Sequence, residues 1–104
     1  MTLASRHGFR RALDTLIGWY KTPSLLGYEE IKPPERDLLV RAADLVTQLT
    51  EPPTSTVPDG DGGIVFERRA GAVFESFTLR SDCSVEWRWF RNGRLEQEVT
   101  FEGL

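Results

Sequence analysis

Two segments in the first half of the chain carry apolar residues at intervals of three and four. The first spans residues 9–20, and its apolar positions are Phe9, Leu13, Leu16, Ile17 and Tyr20. The second spans residues 34–49, and its apolar positions are Leu38, Leu39, Ala42, Leu45, Val46 and Leu49. This spacing predicts two amphipathic helices. Prolines at 33–34 suit the start of the second helix and prolines at 52–53 end it, whereas Gly8 and the polar residues before it are expected to fray.

The apolar period changes to two at Ile64. This alternation predicts four strands, over residues 64–69, 72–80, 84–91 and 94–101. Turns are expected at Ala70-Gly71, Ser81-Asp82-Cys83 and Asn92-Gly93. Residues 50–63 are rich in Pro, Thr, Ser, Gly and Asp, and we interpret them as a connecting segment.

The last turn decides which residues of the final two strands face the core. A two-residue Asn-Gly turn would pair Phe90 with Leu95 and place Trp87 and Trp89 on the same face as glutamates. A slip of one residue moves every side chain to the other face, so burial of the tryptophans favours a three-residue loop over 91–93. The pairs expected from that loop are Trp89 with Leu95, Trp87 with Gln97, and Val85 with Val99.

One sheet face then collects most of the large apolar side chains. Its members are Ile64, Phe66, Val73, Phe77, Leu79, Val85, Trp87, Trp89, Leu95, Val99 and Phe101. The turn at 81–83 should pair Leu79 with Val85 and Phe77 with Trp87. Because the two helices are the elements available to cover this face, we predict a single α+β domain over residues 1–104. Its two N-terminal helices would pack on one face of a four-stranded antiparallel meander.

The opposite face is the candidate binding surface. There the predicted register places Phe74 opposite Phe90, with Arg94 beside Phe90, and sets Arg88 opposite Glu96 in an ion pair. Exposed aromatics next to arginines are typical of interaction surfaces. The candidate partner-binding residues are Phe74, Phe90, Arg88, Arg94 and Arg69.

Two other interpretations of the phenylalanine pair stay open. Phe74 and Phe90 could serve only to stabilise the sheet as a cross-strand pair. They could also stack on the bases of single-stranded RNA. The second interpretation is weakened by carboxylates on the same face that would repel phosphates, namely Glu67, Glu86, Glu96 and Glu98.

Composition limits the classes of protein to consider. The net charge of −3 argues against binding duplex nucleic acid through bulk electrostatics. A single cysteine allows no intramolecular disulfide and no thiolate metal cluster. No apolar run approaches the roughly 18 residues of a membrane span, and the N-terminus lacks the apolar core of a secretory signal. We therefore expect a cytoplasmic protein that does not associate with a membrane.

Few side chains could carry catalysis. Asp59, Asp61 and Glu67 could hold a metal ion in a minimal hydrolase, which is the alternative enzymatic hypothesis. A calcium-binding EF-hand loop is not indicated, because its other ligand positions would fall on Val57 and Arg68. The single histidine, His7, and the single cysteine, Cys83, lack neighbouring partners in sequence, although a reactive Cys83 thiol stays open. We expect no cofactor.

One layout of residues is also suggestive of a family. It comprises Trp19, Gly27, the helix at 34–49, Pro52, Pro53 and the run Asp61-Gly62-Gly63-Ile64-Val65-Phe66-Glu67. In this layout the chain resembles a group of short uncharacterised bacterial proteins in which Pro-x-x-Asp-Gly-Gly-Ile-x-Phe/Leu-Glu leads into a strand. The resemblance covers roughly residues 15–90 and implies a shared fold but no catalytic residue. The chain departs from the group at Tyr20, Arg68 and Cys83, where an acidic residue, an aromatic residue and a glycine are usual.

Together these observations favour a small non-catalytic protein-interaction module. It would bind a partner protein, or a second copy of itself, through the open sheet face or a sheet edge. The metal-dependent hydrolase and the RNA-binding protein are the alternatives.

Overall fold

The structure, a computed structural model, describes residues 3–23 and 32–102. The helices among them are α1 (Leu3–Lys21) and α2 (Arg36–Gln48). The strands are β1 (Ser55–Pro58), β2 (Ile64–Ala70), β3 (Val73–Leu79), β4 (Val85–Arg91) and β5 (Arg94–Phe101). They form one antiparallel sheet in the order β1-β2-β3-β4-β5. The predicted α+β class is confirmed, with one strand more than expected.

Helix α1 is longer than the apolar spacing predicted. It begins at Leu3, so the expected fraying around Gly8 is wrong. Gly8 is buried, and a Cβ atom there would lie 2.6 Å from Cβ of Pro52. The glycine is therefore needed for close packing of the helix against the segment that follows α2. Helix α2 agrees with its prediction to within two residues at each end.

Strand β1 is the element that the sequence analysis missed, within the segment interpreted as a connection. It has only four residues and ends at Pro58, which lacks the N–H that a longer strand would use. Its register sets Thr56 opposite Phe66 and Pro58 opposite Ile64. Thr54 extends the pairing, because its backbone N–H donates to the carbonyl of Glu67 at 2.7 Å. A short edge strand of this composition has almost no periodicity to reveal it.

The first two turns lie at or within one residue of their predicted positions. The β3–β4 turn pairs Leu79 with Val85 and Phe77 with Trp87, as predicted. The β2–β3 turn consists of Gly71 and Ala72, one residue later than expected, with Gly71 at φ 61°. Glycine at the first central position is typical of the type II′ hairpin turn.

The β4–β5 turn is the two-residue Asn-Gly turn that the sequence analysis rejected. Asn92 and Gly93 both have positive φ, 51° and 76°, as a type I′ turn requires. The register begins with Arg91 opposite Arg94 and Phe90 opposite Leu95, and it then shifts between Trp89 and Phe90. One extra β5 residue, Glu96, produces this bulge. The three-residue loop and the pairs derived from it are therefore wrong.

The bulge nevertheless returns the tryptophans to the predicted side of the sheet. Beyond it, Trp89 lies opposite Gln97, and Trp87 lies opposite Val99. Because directly opposed residues share a face, Trp87 and Val99 lie on the helix side with Phe77. Leu95, by contrast, lies on the other face with Phe90, which corrects its assignment to the core.

The core lies between the helix pair and the β2 side of the sheet. Its buried side chains are Ala12, Leu16 and Trp19 of α1, Leu38, Leu39, Ala42 and Val46 of α2, and Ile64, Phe66, Leu79 and Val85 of the sheet. Burial decreases toward β5 along the same face. Trp87 and Trp89 are only half-buried, while Val99 and Phe101 are 40% and 50% exposed. The prediction that the helices cover the whole face is wrong at Trp87 and Trp89 of β4 and along β5.

Candidate interaction surface

The part of the helix side that extends beyond the buried core carries several aromatic side chains. We call it the tryptophan patch and define it by Phe77, Trp87, Trp89, Val99 and Phe101. Cross-strand pairing brings these side chains together across β3, β4 and β5. Apolar side chains of this size on an accessible face are the usual mark of a docking surface.

One tryptophan of the patch is held by a half-buried polar network. The Trp87 indole Nε1–H donates to Oε2 of Glu75 at 2.6 Å. The other oxygen of Glu75 accepts from Nε of Arg68 at 3.1 Å, in an ion pair whose side chains are mostly buried. Because the indole donor already has its partner, the Trp87 ring is fixed in orientation and offers apolar surface.

Two arginines lie at the hairpin end of the patch. Arg91 and Arg94 are directly opposite each other, and they share the helix-side face with Val73. The Arg91 guanidinium lies 5.0 Å from the centre of the Trp89 ring, within cation–π range. Within residues 3–23 and 32–102, no carboxylate forms an ion pair with either arginine. The patch therefore has a positive rim.

The opposite face carries the phenylalanine pair predicted from the sequence. Phe74 and Phe90 are directly opposed, with ring centroids 5.6 Å apart and planes tilted by 49°. The Arg69 guanidinium lies 4.5 Å from the centre of the Phe74 ring. Leu95, 49% exposed, occupies the position beside Phe90 that was assigned to Arg94. We call Arg69, Phe74, Phe90 and Leu95 the phenylalanine row; Arg94 does not belong to it.

Arg88 lies on the same face as the phenylalanine row, among carboxylates. Its cross-strand partner is Glu98 rather than the predicted Glu96, and the ion-pair distance from Nε to Oε2 is 3.6 Å. Its Nε also lies 2.8 Å from Oε1 of Glu86, a buried carboxylate that pairs with Arg80 as well. The contact with Glu86 is an ion pair without hydrogen-bond alignment, since Nε has no hydrogen-bond partner in the described part of the chain. Arg88 thus neutralises carboxylates within the sheet.

The carboxylates of the hydrolase hypothesis have separate local roles. Asp59 Oδ1 accepts hydrogen bonds from the backbone N–H groups of Asp61 and Gly63, both at 2.7 Å. Glu67 lies opposite Ser55, which is four residues before Asp59 in the chain, and accepts a hydrogen bond from the Ser55 hydroxyl. Among the residues that the structure describes, no three His, Cys, Asp or Glu side chains are grouped to hold a metal ion. The three carboxylates are therefore not assembled into one site.

The structure explains why glycines precede β2. Lys32 N–H donates to the carbonyl of Gly60, and Gly62 N–H donates to the carbonyl of Lys32, both at 3.0 Å. A Cβ at Gly63 would collide with Oδ2 of Asp59 and lie 2.7 Å from the carbonyl oxygen of Leu79. The Asp-Gly-Gly run is therefore a clasp that joins the segment before α2 to the start of β2.

The remaining candidates from the sequence are isolated. His7 is exposed on α1, rather than in a frayed segment. Cys83 has φ 71°, so it occupies a left-handed position that glycine usually fills, and its half-buried side chain packs at the edge of the core. Gly27 of the family layout lies outside the described residues.

A second apolar surface lies on the outer side of the helix pair. It surrounds a shallow groove of about 240 Å³ that includes the exposed Ile17, Tyr20 and Val40. The Arg36 guanidinium covers Tyr20 at 5.0 Å from the ring centre. This groove has fewer aromatic side chains than the tryptophan patch, and none of them is a tryptophan.

The tryptophan patch was missed because its residues were assigned to the core. The signal that could have identified it is the run Trp87–Arg91 followed by Arg94, which places tryptophan and unpaired arginine close together. That signal depends on the two-residue turn, since a three-residue loop over 91–93 would set Arg94 opposite Phe90 on the other face. It also depends on the bulge, without which Glu96 would lie opposite Trp89. The register of the β4–β5 hairpin thus determines which residues form the tryptophan patch.

Comparisons with known proteins give no relative for this chain. No protein-family model matches the sequence, and no curated protein or solved structure matches it either. Among the described residues, no helix is both long enough and apolar enough to cross a membrane.

Proposed function

We propose that this chain is a small non-catalytic protein-interaction module that binds through the open part of its sheet. One observation carries the proposal: beyond the buried Val85, the helices leave the β4–β5 part of this sheet face only partly covered, although it bears two tryptophans and Phe101. Trp and Arg are the residue types most enriched among side chains that dominate binding energy. A surface of that composition serves association better than it serves solubility.

The face is a better docking surface than the free edge of the sheet. All eight residues of β5 are exposed, so its edge is accessible. However, β5 carries Arg94, Glu96 and Glu98 and contains the bulge, and both features hinder pairing with another strand. Side-chain packing on the patch is therefore the favoured mode, rather than addition of a sixth strand.

The phenylalanine row is the weaker of the two faces. Arg69 covers Phe74, and Glu67, Glu86 and Glu98 share that side of the sheet. Those carboxylates also argue against RNA stacked on Phe74 and Phe90, because they would repel the phosphates. The row remains a candidate binding surface that the experiment below compares directly with the patch.

In-cell photo-crosslinking tests the proposal. A photoreactive phenylalanine analogue replaces Phe101 in the patch or, as the control, Val57 on the other edge strand; both positions are exposed. We expect covalent adducts with another protein, or with a second copy, from position 101 and none from position 57. The adducts should disappear when Trp89→Ser is added and persist with Phe74→Ser and Phe90→Ser. If position 101 gives no adduct, the proposal is wrong.

A further inference from the structure

We infer that the occupant of the tryptophan patch is an acidic segment of another protein, with apolar side chains at its centre and carboxylates toward the hairpin end. The inference rests on the proposed function and names the class of partner. Charge complementarity carries it, because the patch combines an apolar floor with a rim of unpaired positive charge.

Charge is divided between the two faces of the last hairpin. On the helix side, the paired residues of β5 are Arg94, Gln97, Val99 and Phe101, none of which is acidic. Among the described residues, the bulged Glu96 has no β4 partner and forms no ion pair with Arg91 or Arg94. The β5 glutamate at 98 lies on the other face, where it pairs with Arg88. The only carboxylate on the helix side of β3 and β4 is Glu75, and Arg68 and Trp87 already occupy both of its oxygens. The chain as a whole carries −3, yet no carboxylate in the described part of the chain pairs with the two positive charges at this corner.

The arginine pair is costly for the isolated chain. Like charges directly opposite each other across two strands destabilise a sheet. Arg91 and Arg94 occupy such a position, and no carboxylate within the described ranges compensates them. A partner carboxylate between the two guanidinium groups would remove the repulsion and form charge-assisted hydrogen bonds. The adjacent Trp89 ring, which Arg91 covers, would exclude water from that contact.

A second copy of the chain does not supply carboxylates for the positive rim. In a two-fold dimer through the patch, each patch meets an identical patch. The arginines of one copy would then require carboxylates in the patch of the other, and Glu75 is already paired. An acidic segment from a different protein supplies what the patch lacks.

Single-stranded RNA is also disfavoured as the occupant. Its phosphates would suit the two arginines, but tracking a backbone requires a longer positive groove. Here Val99 and Phe101 continue the patch away from Arg91 and Arg94, with no further basic side chain on that part of β5. The apolar extension matches aliphatic and aromatic side chains of a protein segment.

Peptide selection gives the test. Random peptides of about 16 residues, displayed on phage, are selected on the immobilised full chain, and recovered sequences are synthesised. We expect them to place Asp or Glu beside aliphatic and aromatic residues. Their affinity should fall about tenfold or more in Arg91→Glu with Arg94→Glu, and it should weaken as salt rises. The double variant replaces one like-charge pair by another, so cross-strand repulsion is preserved and thermal unfolding should change little.

The control variant carries the same change of charge elsewhere. Arg10→Glu with Arg11→Glu alters two exposed arginines of α1 and should leave peptide affinity unchanged. Trp89→Ser should abolish binding, whereas Phe74→Ser with Phe90→Ser should not.

Other outcomes separate the inference from the proposed function. Peptides without acidic residues, or insensitive to reversal at Arg91 and Arg94, overturn the acidic partner while leaving a binding patch at Trp89. Association of the chain with itself that Trp89→Ser removes, or competition by an oligouridylate, assigns the patch to a second copy or to RNA and also overturns it. If selection yields no peptide, the inference is wrong; if position 101 also gives no crosslink, the proposed function fails with it.

Discussion

The two halves of the helix-side sheet face have the same alternating pattern and opposite environments. Phe66 on β2 is 1% exposed beneath the helices, whereas Phe101 on β5 is 50% exposed. Between them, Leu79 and Val85 are buried and Trp87 is half-buried. Strands β2 to β5 each contribute large apolar residues to this face, as strands over a core do. The comparison shows that alternation identifies which residues share a face. It does not show which of those residues the helices cover.

Matched substitutions of Phe66 and Phe101 should show the largest difference between the halves. Phe66→Ala leaves a cavity in the core, and we expect a loss of about 3–5 kcal/mol in the free energy of unfolding. Phe101→Ala should cost about 1 kcal/mol, because half of the side chain is already in water. Urea denaturation at neutral pH measures both. Equal losses would show that β5 is covered as well as β2.

A glycine in a loop of each half offers a second comparison, since Gly63 precedes β2 and Gly93 lies between β4 and β5. Gly63→Ala places a methyl group against Asp59 and the carbonyl of Leu79, so we expect a loss of about 2–3 kcal/mol in stability. Gly93→Ala has open space around it but a φ of 76°, so only backbone strain of about 1 kcal/mol opposes it. Thermal unfolding of the two variants checks the ranking. A Gly63→Ala protein as stable as Gly93→Ala would refute the clasp.

Tryptophan fluorescence can compare the halves without altering the fold greatly. Trp19 is 9% exposed in the core, whereas Trp87 and Trp89 are half-buried in the patch. In variants that keep one tryptophan and carry Phe at the other two positions, acrylamide should quench Trp89 more strongly than Trp19. Trp87 should fall between them, because Glu75 holds its indole N–H. Identical quenching constants would contradict the uncovered patch.

The smallest expected effect concerns the turn between the two halves. Hydrogen bonds from the Ser84 hydroxyl, at 2.6 Å, and from its backbone N–H lower the pKa of Asp82 below its ordinary value of 3.8. Because the folded pKa is the lower one, these bonds stabilise the fold above the unfolded pKa, and their contribution is lost as pH falls through the folded pKa.

Removal of the hydroxyl isolates this contribution. Ser84→Ala should destabilise the chain slightly at pH 7, and the difference from the unaltered chain should shrink as pH falls below about 4. Urea unfolding at several pH values measures that difference, in which the other carboxylates largely cancel. A difference independent of pH would assign the effect of Ser84 to packing alone.

Prediction from the sequence succeeded where many residues share one local pattern. Helix α2 and strands β2 to β4 were found to within two residues, because each shows its period clearly. Strand β1 was missed because four residues ending in proline show no reliable period. The Phe74–Phe90 pair was predicted correctly, since the turn at 81–83 fixed the β3–β4 register.

The sequence by itself determined the α+β class, the β3–β4 register and the sharing of one face by the tryptophans and Val99. Only the tertiary structure decided that Glu96 forms a bulge, that Arg94 faces the helix side, and that the helices stop short of β5. The physical reason is that periods and turns depend on neighbouring residues. Which side chains the helices cover, and which charges have a partner, depends on where separate elements meet in space.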